Sequence, residues 1–121
     1  MTKEDKLTLL MGIYHTAYRR KQALMDAEIA LAAGHHLRWS VCCSASEHCA
    51  LMHDTLLSLG HKLYEGGNWI VFDSTMEAVS RSGELHAASG LKLTQHQLAE
   101  GIRALGLEDD EKVEKCATSP S

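Results

Sequence analysis

Residues Ser40 to Leu59 read SVCCSASEHCALMHDTLLSL, a run without proline or glycine that Gly60 then closes. Its periodicity decides the fold. Drawn on a helix at 100° per residue, Ser40, Ser44, Glu47, His48, Asp54, Thr55 and Ser58 gather on one side. The opposite side carries Trp39, Cys42, Cys49, Ala50, Leu56 and Leu57, with Ser46 and His53 among them. This is the pattern of an amphipathic helix with two cysteines and a histidine on its inward face.

Cys49 and His53 are one turn apart, so their side chains can meet. A cysteine and a histidine at that spacing make half of a zinc site and need two further ligands. Cys42 lies about 10 Å away along the axis, out of reach of the same ion. No CxxC or HxxxH completes the set, which leaves His15, His61 or His86 to approach through the fold. The favoured reading is that both residues pack inward without metal, the cysteine as a small hydrophobe and the histidine with a hydrogen-bond partner. A zinc-binding helical domain is the alternative.

Working outward, the preceding segment is also helical. Thr2 followed by Asp5 forms a capping-box start, and Glu4 and Asp5 suit the positive end of the helix dipole. The helix is expected to run to about Ala33, with Gly34 as its stop. It carries two adjacent apolar stripes. One is Leu10, Ile13, Ala17, Leu24, Ala27 and Leu31; the other is Leu7, Met11, Tyr14, Tyr18, Met25 and Ile29. That arc is wider than one partner helix covers. It points to a homodimer, or a tight complex with another protein, through Met11, Tyr14, Tyr18 and Met25. The short link Gly34-His35-His36 makes the first two helices an antiparallel hairpin.

After Gly60 the character changes. Lys62 to Glu65, then Gly66-Gly67, then Asn68 to Phe72 reads as strand, tight turn, strand, so a β-hairpin is expected over residues 62–72. Ser74 with Glu77 reads as the start of a third helix, Gly83 as a possible break in it, and Ser89-Gly90 as its end. Thr94 with Gln97 starts a fourth helix with the stripe Leu98, Ile102 and Leu105, stopped at Gly106. The expected architecture is therefore mainly α. It has a long antiparallel helical hairpin, one small β-hairpin and two shorter helices, in a single domain over residues 1–107. Residues 108–121 read as an acidic tail.

Composition bounds the function. The chain has 121 residues, 45 % of them apolar, and a formal net charge of −4, which argues against a general nucleic-acid binder. No apolar run approaches the ~20 residues of a membrane span. Four cysteines, two of them adjacent, and no leader-like N-terminus point to a reducing cytoplasm. No nucleophile elbow, paired-carboxylate signature, dinucleotide fingerprint or phosphate loop is present, so no enzyme activity and no cofactor are expected. A helix-turn-helix over residues 75–105 is a second alternative, weakened by Glu100 among Gln95, His96, Gln97 and Arg103. What remains is a small, non-catalytic protein-interaction module of the adaptor, inhibitor or immunity-factor kind. Its partner is a protein of unspecified identity.

Overall fold

The computed structural model describes residues 2–64 and 69–107. They form four helices: α1 (Lys3–Ala32), α2 (His36–Leu63), α3 (Trp69–Ser89) and α4 (Gln95–Ile102), the last running into a π-helical turn at Arg103–Leu107. The starts of α1 and α4 follow from their local chemistry. Thr2 and Asp5 cap each other's backbone at one, and Thr94 and Gln97 do so at the other. Gly34 and Gly90 end α1 and α3 at φ +76° and +75°, a left-handed conformation in which a side chain would be strained.

The β-hairpin expected over residues 62–72 is not there. Lys62 and Leu63 are the last residues of α2, Trp69–Phe72 is the first turn of α3, and no strand occurs among the described residues. The turn residues Gly66 and Gly67 lie outside the described residues. The physical reason is visible in the burial pattern. Phe72, Met76, Val79, Gly83 and Ala87 are all buried, a helical stripe that begins before Ser74. As a helix, the Trp69–Phe72 turn places Phe72 flat on Tyr64, ring centroids 4.0 Å apart and 14° from parallel. A two-stranded ribbon here would have left that stripe in two pieces and been marginal by itself. The β-propensity of the segment is overridden by packing. Ser74 is accordingly a residue within α3, not its cap, and α2 passes through Gly60 instead of stopping there.

Gly83 does not break α3. It is where α3 presses on α1: a Cβ at this position would lie 2.6 Å from the Tyr14 carbonyl oxygen and 3.2 Å from Ala17 Cβ. Gly60 serves similarly at the other end, against Met76 and Leu9. These contacts give the register. Residue numbers rise together along α1 and α3, and fall on α2 as they rise on α1, where Gly12 meets Leu56.

The core lies between α1, α3 and α4. Leu10, Ile13, Met76, Val79 and Ile102 are at most 2 % exposed. Tyr14 and Tyr18, on the second stripe of α1, are in the same core, so α3 and α4 cover the part of the arc that α2 leaves. At the base, Lys6 is buried with its ammonium 5.0 Å from the centroid of the Tyr64 ring. The register puts the end of α3 level with Gln22, so the α1–α2 hairpin projects beyond it. In that projection the buried positions are small: Ala27 and Ala30 on α1 and, at its root, Ser46 on α2.

Candidate functional site: the outer face of α2

α1 can accept α2 along one side only, because α3 and α4 occupy another. The side of α2 that turns inward is the one its periodicity indicates. Ser46 is buried, and Cys42, Cys49, Ala50, His53, Leu56 and Leu57 are half-buried, while Trp39 at the hairpin tip is 39 % exposed. α3 packs chiefly on α1 and reaches α2 through a few polar and terminal contacts. Among them are His53 Nε2 to Ser80 Oγ at 2.9 Å and His61 Nε2 to Asp73 Oδ1 at 3.1 Å.

The result is an outer face of α2 that no part of the described chain covers. It is not polar. Leu37 is 81 % exposed, Val41 61 %, Met52 46 %, Leu59 45 % and Leu63 53 %. Ala45, His48 and Thr55, also exposed, complete the row. Leu51 stands at its edge, 67 % exposed. The row contains no Asp, Glu, Lys or Arg. Its members follow one another at intervals of four, four, three, four, three, four and four residues, a series that reads the same in both directions. The midpoint is residue 50, about which Leu37 matches Leu63, Val41 matches Leu59, Ala45 matches Thr55 and His48 matches Met52. Sequence reading missed this face because His48 and Thr55 within it, and Ser44, Glu47, Asp54 and Ser58 beside it, made that side of the helix look polar. The signal that could have found it is the symmetric three–four spacing.

The four residues singled out on α1 are placed differently from one another. Tyr14 and Tyr18 are 3 % and 9 % exposed within the chain's own core; Met11 and Met25 are half-buried. Tyr14 stacks on Tyr18 and joins His86 through its hydroxyl, so both rings are engaged inside the chain's own fold. Among the charged residues of α1, Lys21 is half-buried and Glu28 is exposed.

At the Cys49–His53 pair, burial holds the imidazole below the ordinary histidine range. Asp54 opposes that effect and Arg20 adds to it. No group of three or more His, Cys, Asp or Glu able to hold a metal ion occurs among the described residues. In α4, Leu98 and Ile102 are buried, Gln97 is occupied in the cap with Thr94, and His96 Nε2 sits 3.1 Å from Glu100 Oε1. Among the described residues no helix is long and apolar enough to cross a membrane. Compared with protein-family profiles, with curated proteins and with solved structures, the chain finds no match.

Proposed function

We propose that the chain is a small protein-interaction module that works as a homodimer, with α2 packed antiparallel against α2 of a second copy. The observation that carries this reading is the symmetrically spaced, mainly apolar row on the outer face of α2, which has no Asp, Glu, Lys or Arg. Three-and-four spacing is what side chains need to interdigitate between two helices. A row that reads the same backwards complements itself when a two-fold axis passes beside residue 50. Leu37 then lies level with the partner's Leu63, and Val41 with the partner's Leu59. Leu51, next to the axis, meets its own counterpart. Residues 37–63 extend about 39 Å at 1.5 Å per residue, long enough for a continuous helix–helix seam. An apolar strip of that length is unusual on a soluble monomer. A partner of opposite charge would have selected charged groups within the row, and there are none. The α1–α2 hairpin of each copy would complete a four-helix arrangement around the seam.

Light scattering at micromolar concentration tests this, with wild type compared with Val41→Glu/Leu59→Glu. Both positions are exposed, so the variant keeps its fold, checked by far-ultraviolet circular dichroism. The expected result is a dimer for the wild type and a monomer for the variant. A monomeric wild type, or a dimer that the two glutamates leave intact, overturns the reading.

A further inference from the structure

Away from α2, two cavities open against α1. One, of about 250 Å³, lies between α1 and the link from α3 to α4; it is lined by Tyr14, His15, Tyr18, Arg19, Gln22, Lys92 and Leu93. The other, of about 150 Å³, is enclosed mainly by Val79, Leu98, Ile102 and Leu105. Tyr14 and Leu93 are walls of both, so the two meet at those side chains. Their chemistries are opposite. The first has an arginine and a lysine among its lining residues, and no Asp or Glu is among the described residues lining either cavity. Among the described residues neither Arg19 nor Lys92 has an ion pair. The second is aliphatic. At the junction the Tyr14 hydroxyl and His86 Nδ1 are bonded to each other at 2.6 Å. Those two polar atoms are thus already partnered.

We propose that this two-part cleft binds a small aliphatic carboxylate. Its charged end is held by Arg19 and Lys92, and its hydrocarbon chain lies among Val79, Leu98, Ile102 and Leu105. A cleft with an apolar floor and a few convergent polar groups is the usual form of a small-molecule site. Arg matches a carboxylate through two parallel N–H donors, Lys adds a point charge, and Gln22 offers an amide beside them. The apolar part fixes the length of the ligand: each methylene buried there strengthens binding roughly fourfold, up to the limit of the smaller cavity. The site involves no α2 residue and stands independently of the dimer.

Calorimetric titration of the full chain with hexanoate, hexanol and acetate separates the two halves of the proposal. Hexanoate is expected to bind at least about tenfold more tightly than either of the others, since hexanol lacks the charge and acetate the chain. Arg19→Gln/Lys92→Gln, at two exposed positions, should weaken hexanoate about tenfold while leaving the helical circular dichroism and the melting temperature in place. Failure of wild type to bind hexanoate at millimolar concentration overturns the proposal. So does hexanol or acetate binding as tightly as hexanoate, or hexanoate affinity unchanged in the double variant.

Discussion

The Tyr14 hydroxyl lies 2.6 Å from His86 Nδ1, a bond between the middle of α1 and the last turn of α3. The rings meet edge to face, centroids 5.6 Å apart at 61°. Burial pushes the Tyr14 phenol above its ordinary pKa, and the neighbouring Tyr18 adds to the shift. The phenol therefore keeps its proton, and the direction of the bond follows the tautomer of His86. One bond thus pins the C-terminal part of α3 to α1 and stands at the junction of the two cavities.

Tyr14→Phe should cost about 0.5–1.5 kcal/mol in urea unfolding, the net worth of one side-chain hydrogen bond. A double-mutant cycle with His86→Ala isolates the pair, and a coupling of about 1 kcal/mol is expected. A coupling near zero would show that the bond adds nothing beyond the packing of the two rings.

Two helical glycines should respond in opposite directions to alanine. At Gly83 the new methyl would meet the Tyr14 carbonyl oxygen at 2.6 Å and the Tyr18 nitrogen at 3.2 Å, backbone atoms that cannot swing aside. Forcing α3 off α1 should cost about 1–3 kcal/mol net, despite the gain in helix propensity. At Gly101 nothing lies within 4 Å, so Gly101→Ala should stabilise by up to ~1 kcal/mol. Thermal melts of the two variants decide it.

Acid should weaken the fold through His53 and His15. Burial is the first cause of a lowered pKa at both; Arg19 adds to it at His15, and Arg20 at His53 against the opposing carboxylates of Asp54 and Glu84. A histidine whose folded pKa is lowered binds its proton more readily in the unfolded chain, so stability rises with pH. The contribution is complete above the ordinary histidine value of 6.5 and is lost as pH falls from there through the folded pKa. Denaturant unfolding between neutral pH and pH ~5 should show this slope, with a shallower one in His53→Gln. Equal slopes in the two proteins would assign the acid sensitivity elsewhere.

The start of α4 should depend on Thr94. Its hydroxyl accepts the Gln97 amide proton at 3.2 Å, and Gln97 Oε1 accepts from the Thr94 amide at 3.0 Å. Thr94→Ala removes one half of this exchange and should cost about 1 kcal/mol, measured by chemical denaturation. Because α4 supplies Leu98 and Ile102 to the core, the loss should appear in global unfolding and not as local fraying alone.

Much of the helical framework was legible wherever a boundary rests on residues three or four apart. Thr2 with Asp5, Thr94 with Gln97, Gly34 and Gly90 mark ends by chemistry that needs no distant partner. The Trp69–Phe72 turn was misread because aromatic and β-branched residues next to Gly66-Gly67 imitate a hairpin arm. Phe72 stands four residues before Met76, and the helical stripe would have been visible by extending Met76 and Val79 backwards. Of the candidate sites, the inward turn of Cys49 and His53 could be read from one helix. The cleft could not, since Tyr14 and Lys92 are 78 positions apart and meet only in the fold.

By itself the sequence determined that this chain is mainly helical, where α1 begins and ends, and which side of α2 faces inward. Each is set by spacing along a single helix and by the hydrogen bonds of its ends. Only the tertiary structure decided what each apolar stripe would meet. α1 has one circumference to share, and Gly83 lets α3 come close enough to take Tyr14 and Tyr18 into the core. That leaves α2 with a single neighbour for most of its length. Leu37, Val41, Met52, Leu59 and Leu63 are left facing solvent not because their own pattern requires it, but because the described residues hold no fifth helix to lay across them.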